Sequence, residues 1–172
     1  MPPILHRDIS LGNIVLVAGD AGEQEGESSA PREALLLDFV TAREAPSGRV
    51  LPTSNSSSSS GEELTGTTLF MAYSVMQGEG HTVSSDLESL FLVLLFIATA
   101  GRVHWLNARL GTSAAAALKL EALLGDKGYM RFTRCRCKED LVLAVDRLRA
   151  LFFKPDYNTE VDVQQFLKAL SG

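Results

Sequence analysis

The apolar residues of this chain change their spacing part-way along it, and the change predicts two kinds of element. Early on they come in short β-branched or leucine-rich runs. Asn13-Ile14-Val15-Leu16-Val17 is one run and Ala34-Leu35-Leu36-Leu37 is another. Runs of this length and composition predict strands. Between them Ala18 to Arg32 is rich in Gly, Glu, Ser and Ala with no apolar period, which predicts a solvated loop. The two runs therefore predict a hairpin with an enlarged tip, after which Asp38-Phe39-Val40 returns towards the residues that precede the first strand. Thr41 to Glu63, with Ala45-Pro46-Ser47-Gly48 and the run Asn55 to Gly61, has almost nothing to bury and is expected to be disordered.

From Thr65-Gly66-Thr67-Thr68-Leu69-Phe70-Met71-Ala72 onward, order is expected to return and the spacing to become helical. Ser84-Ser85-Asp86-Leu87-Glu88 has hydroxyls at a cap position and acids in the first turn, where they oppose the positive end of the helix dipole. The helix it opens, about Leu87 to Ala100, is apolar on nearly every face after Ser89 and is stopped by Gly101. A helix apolar all round must be covered, so it is expected at the centre of the core. Ser113 to Leu124 is a strong helix former closed by Gly125. Lys138 to Phe153 places Leu141, Val142, Val145, Leu148, Leu151 and Phe152 on one side, with Lys138, Asp140, Asp146 and Arg149 on the other, and ends before Pro155. Thr159 is expected to cap a last short helix that uses Val161, Phe166, Leu167 and Leu170. The fold class predicted is mainly α with a small β-hairpin.

Composition narrows the function classes. At 172 residues, 45% hydrophobic and 22% charged, the chain is expected to form one domain spanning 1–172, with inserts at 18–33 and 41–63. A net charge of −5 offers no basic footprint for nucleic acid. The longest apolar run, Leu90 to Ala100, is well short of the roughly 20 residues of a membrane span. Met1-Pro2-Pro3 shows no signal-peptide pattern. These features predict an intracellular protein, cytoplasmic or nuclear. Cys135 and Cys137, one residue apart, cannot make a four-ligand zinc site by themselves and are read as free thiols.

The candidate chemistry lies near the start, in His6-Arg7-Asp8-Ile9-Ser10-Leu11-Gly12-Asn13. An Asp carboxylate and an Asn amide five positions apart suit a base beside a hydroxyl and a ligand turned back to a metal ion. The string differs from the protein-kinase catalytic loop H-R-D-L-x-x-x-N only at Ile9. Asp38-Phe39-Val40 follows it, then Gly66-Thr67…Phe70-Met71-Ala72, then Asp86 at the start of the buried helix. In this order the chain resembles the C-terminal lobe of a eukaryotic protein kinase. The wording His-Arg-Asp-Ile-Ser-x-Gly-Asn-Ile, with Ser85-Asp86-Leu87-Glu88-Ser89-Leu90-Phe91, is most similar to the fungal-type protein kinase family.

The resemblance implies transfer of the ATP γ-phosphate to protein Ser/Thr hydroxyls, with ATP and Mg²⁺ as cofactors and a protein as substrate. It implies that Asp8 is the catalytic base, and that Asn13 and Asp38 hold Mg²⁺ on the nucleotide. Arg7 pairs with a phosphorylated activation segment, here the Ser-rich stretch. Thr67 shapes the substrate site beside Asp8. Asp86 accepts hydrogen bonds from the catalytic-loop backbone, and His6 packs the loop. His81, His104 and Trp105 match no motif position and are read as loop or packing residues.

The chain departs from the kinase pattern at several positions. Val40 replaces the Gly of Asp-Phe-Gly, Ser10 stands where a phosphate-contacting Lys is usual, and Tyr73-Ser74 replaces Pro-Glu, so that Glu's ion pair with a later Arg cannot form. Only five residues precede His6, so the nucleotide-covering lobe and its Gly-rich loop and Lys are not among the 172 residues. The expectation is a lobe truncated at its N-terminus, with weak nucleotide binding and little or no transfer by this polypeptide alone. Part of the central helix is expected to be uncovered and open to self-association or a partner. The alternative is a non-catalytic pseudokinase or interaction module. A small-molecule kinase of the aminoglycoside or choline type fits less well, because those families lack an Arg before the Asp and the Gly-Thr…Met-Ala close.

Overall fold

The computed structural model describes residues 2–17, 33–45, 67–101, 103, 112–125 and 139–172. Two small antiparallel sheets come first. Strand β1 (Ile4–Leu5) pairs with β4 (Arg43–Glu44), and β2 (Ile14–Val17) pairs with β3 (Glu33–Leu36). Among the described residues five helices follow: α1 (Tyr73–Met76), α2 (Val83–Ala98), α3 (Thr112–Leu124), α4 (Glu139–Phe153) and α5 (Val163–Ser171). The fold is thus mainly helical with small antiparallel sheets. Among the described residues, no helix is long and apolar enough to cross a membrane.

The hairpin pairs Ile14 with Leu36 and Val17 with Glu33, and the amide of Leu37 extends the ladder to the Asn13 carbonyl at 2.8 Å. Glu33, expected in the loop insert, is therefore a strand residue. The first sheet corrects the expectation of disorder at 41–45, while 46–63 lies outside the described residues. Thr41 closes a 3-10 turn with Phe39 and Val40, Arg43–Glu44 is a strand, and Ala45 donates to the Pro3 carbonyl at 2.7 Å. Backbone ladders need only N–H and C=O groups, so a polar stretch pairs without apolar side chains to advertise it.

Helix α2 starts before the expected Leu87. Thr82 caps it, accepting from the Ser85 amide while the Ser85 hydroxyl accepts from the Thr82 amide (3.1 and 2.9 Å). A reciprocal box of this kind satisfies two end donors at once and outcompetes the hydroxyls of Ser84 and Ser85 as single caps. The helix ends at Ala98, where Gly101 (φ +77°) donates back to the Phe96 carbonyl at 2.8 Å. A Cβ at Gly101 would meet the Phe96 ring at 3.1 Å, so both conformation and space call for glycine.

Phe91, Leu92, Val93 and Leu95 of α2 pack with Leu148, Phe152 and Phe153 of α4 and Phe166 of α5. The Phe91 and Phe152 rings stack with centroids 5.8 Å apart. The open apolar surface falls mainly on the hairpin and the turn after it, where Leu16, Leu35, Leu37, Phe39 and Val40 are exposed; on α2, Ile97 is the exposed large residue. Two helical details differ from expectation. Arg149 is buried, not solvent-facing, because its guanidinium donates to the Leu123 and Gly125 carbonyls and caps the end of α3. The last helix is capped by Asp162 in a box with Gln165, while Val161 lies buried before it and Leu167 and Leu170 remain exposed.

Candidate functional site

The segment from His6 to Asn13 is held by residues far away in the chain. The Asp86 carboxylate on the first turn of α2 accepts from the His6 amide at 2.6 Å and from the Arg7 amide at 3.0 Å. His6 is buried, its Nε2 lies 2.9 Å from the Leu37 carbonyl, its own carbonyl accepts from the Thr41 hydroxyl at 2.9 Å, and its ring meets Phe39 edge-on at 4.7 Å. One imidazole thereby joins the loop to the turn that carries Asp38. Arg7 is buried with φ at 70° and Asp38 has φ at 61°, left-handed conformations that side chains rarely adopt. Strain of this kind persists only where neighbouring contacts over-determine the backbone, and here it falls next to Asp8 in sequence, at Arg7, and at Asp38 on the turn after the hairpin.

Asp8 is the half-buried centre of the arrangement. Its Oδ1 accepts from the amide and hydroxyl of Thr67 at 2.8 and 3.1 Å. The Asn13 amide nitrogen donates to the Asp8 carbonyl at 2.9 Å and to its Oδ2 at 3.2 Å. With that nitrogen committed, the amide oxygen is the atom of Asn13 left for a metal ion. Asp38 is exposed and, among the described residues, accepts a long bond from the Val40 amide, 3.4 Å. One amide oxygen and one carboxylate suit a hard cation such as Mg²⁺, which keeps waters and takes substrate oxygens for its remaining positions. No group of three or more His, Cys, Asp or Glu able to hold a metal occurs among the described residues. Ser10 is buried. A cleft of about 560 Å³ between the starts of α2 and α5, lined by Pro3, Thr82 and Val161 among others, includes none of these residues.

A family model for fungal protein kinases matches residues 2–98. The chain belongs to the fungal protein kinase family. No curated protein matches the chain. The matched span contains His6, Arg7, Asp8, Asn13, Asp38, Thr67 and Asp86, and the structure brings all of these but Asp38 into one hydrogen-bonded set, with Asp38 joined to it through the neighbouring Leu37 and Phe39. Gly66, the Ser-rich stretch, His104, Trp105, Cys135, Cys137 and Lys138 lie outside the described residues. His81 is half-buried near Asp86, and its charge favours the ionised carboxylate there.

A second polar cluster was not foreseen. Glu88 is fully buried on α2 and accepts from the Tyr73 amide at 2.8 Å and from the Tyr157 hydroxyl at 2.5 Å. Lys119 of α3, also fully buried, donates to the Met71 carbonyl. Burial raises the Glu88 carboxyl and pushes Lys119 down to about 8, each opposed by the charge of the other, and burial next to Glu88 raises Tyr157 as well. Glu88, expected among the acids of the first turn, lies beyond it because α2 begins at Val83 and only Asp86 falls in its first turn.

Asp86 supplies a pH prediction for the fungal protein kinase site. Burial raises its pKa above the ordinary 3.8, and outweighs the two backbone donors and the charges of His81 and His6, which lower it. The folded chain therefore holds a proton that the unfolded chain has lost just above pH 3.8. This contribution to stability is complete below 3.8 and is lost as pH rises through the folded value. The stability of wild type relative to Asp86→Asn, which does not titrate, should therefore fall between pH 3.5 and neutrality and then level off. Urea unfolding of both proteins across that range checks it; a difference that grows with pH would mean the backbone donors win.

Proposed function

We propose that the chain is the C-terminal lobe of a protein kinase that transfers the γ-phosphate of ATP to Ser or Thr hydroxyls of proteins. The observation that supports this most is Asp8, a carboxylate set between the Asn13 amide and the Thr67 hydroxyl, with Asp38 on the adjoining turn. Asp8 would accept the proton of the acceptor hydroxyl as the oxygen attacks phosphorus. Thr67, bonded to the same carboxylate oxygen, would orient Asp8 and border the acceptor. Asn13 and Asp38 would hold Mg²⁺, which when bound neutralises charge on the phosphate oxygens. Arg7 would contribute through a phosphorylated activation segment.

One departure from the kinase pattern is expected to slow transfer. Ser10 places a buried hydroxyl where a cation would meet the transferred phosphate. Losing one preorganised donor costs about a hundredfold to a thousandfold.

Calorimetric titration with Mg·ATP tests the reading. Wild type should bind, and Asp38→Asn should bind at least about tenfold more weakly, ~1.4 kcal/mol, because a neutral amide replaces the metal-holding carboxylate. The exposed apolar hairpin favours a second reading, a non-catalytic interaction module of the same family. Absence of any Mg·ATP binding by wild type would favour that module.

A further inference from the structure

We propose that Glu88, Lys119 and Tyr157 are positioning residues, a buried clamp that holds the backbone of Met71 to Ser74 and so sets Thr67 on Asp8. The contacts are to main chain and come from three separate parts of the fold. Lys119 of α3 donates to the Met71 carbonyl. Glu88 of α2 accepts from the Tyr73 amide at 2.8 Å. The Tyr157 hydroxyl, from the loop after α4, accepts from the Ser74 amide at 3.1 Å and donates to Glu88. The Tyr73 ring also meets that of Tyr157 edge-on, with centroids 4.9 Å apart.

Helix α1 has a structural need for this clamp. Its cap residue is Ala72, which offers no side-chain acceptor, so the first amides of the helix lack the usual partner. Glu88 and Tyr157 satisfy Tyr73 and Ser74 from outside, and place an anion at the positive end of α1. Tyr73-Ser74 brings no carboxylate of its own to this position, so the carboxylate arrives from α2. The stretch before α1 is short and turned, with Phe70 donating to the Thr67 carbonyl at 2.8 Å. The segment is thus tied at both ends, to Asp8 through Thr67 and to the clamp through Met71, Tyr73 and Ser74.

Stability alone does not account for the cluster. A buried ion pair is often matched or bettered by apolar residues of equal volume. Directed hydrogen bonds to three backbone groups are what apolar residues would not replace. The consequence for acceptor positioning rests on the kinase reading above, whereas the clamp itself does not.

Hydrogen–deuterium exchange on the full chain, comparing amides of residues 67–76 with those of 91–98 in α2, tests it. Tyr157→Phe keeps the ring and removes the hydroxyl; Lys119→Met keeps the length and removes the charge. Each should speed exchange at 67–76 at least tenfold, the Thr67 amide included, and leave 91–98 within twofold. Lys119→Arg, which retains a donor for Met71, should restore most of the protection. Equal acceleration in both regions, or none at 67–76, would overturn the proposal. If Lys119→Met fails to fold, Tyr157→Phe decides by the same criterion. Because no phosphate transfer is measured, failure here and failure of the kinase reading are separately visible.

Discussion

Replacing Glu88 by alanine should cost about 3–5 kcal/mol, the range for stranding one partner of a buried ion pair. The change leaves the ammonium of Lys119 inside the fold without its counter-charge, and strips the Tyr73 amide and Tyr157 hydroxyl of their acceptor. Against a total stability of about 5–15 kcal/mol, this brings the chain close to unfolding at ambient temperature. Urea denaturation followed by circular dichroism measures it. Glu88→Leu with Lys119→Met should recover part of the loss, because the stranded charge goes with the pair while the Tyr73 amide and Tyr157 hydroxyl still lack their acceptor. A double variant no more stable than Glu88→Ala would show that these lost hydrogen bonds, not the stranded charge, cause the cost.

The pH dependence separates these causes further. Lys119 is depressed from 10.5 to about 8 by burial, with Glu88 opposing the shift. Between those values the unfolded chain holds a proton that the folded chain has shed, so this group's contribution to stability rises with pH across that window. Without Glu88 the folded value drops further and the window opens below 8. The deficit of Glu88→Ala relative to wild type should therefore shrink as pH rises towards about 8 and level off above it.

Asp8→Asn should lower phosphate transfer from labelled ATP to a protein acceptor at least about a hundredfold, the usual scale for loss of a positioned general base. The asparagine amide oxygen can still accept from Thr67, so the loop should keep its shape. The urea midpoint is the control and should move little. Equal, measurable transfer by both proteins would remove Asp8 from the role of base.

The candidate site was legible in the chain because it is written in local spacing. His6 to Asn13 sets an Asp and an Asn five positions apart, and the family match covers that stretch. The hairpin was legible for a related reason: both strands are compact apolar runs whose pairing returns Leu37 to Asn13. The central helix was legible because an apolar run closed by glycine has few other fates. Its start was misplaced because the Thr82–Ser85 box lies one turn before the apolar stretch begins.

What the amino-acid order determined by itself was therefore the family, the candidate site from His6 to Asn13 and the mainly helical class with a hairpin. Each rests on near neighbours in sequence. Tertiary structure alone decided which distant groups serve them. The Asp86 carboxylate reaches back 80 positions to the His6 amide, Arg149 turns inward to carbonyls of another helix, and Arg43–Glu44 pairs with the strand before the loop. Along the chain Glu88 stands among the acids of a helix start, and Lys119 lies within the helix former Ser113 to Leu124. Burial made them partners, because a charge withdrawn from water must find either its opposite or a backbone dipole, and the fold brought them both.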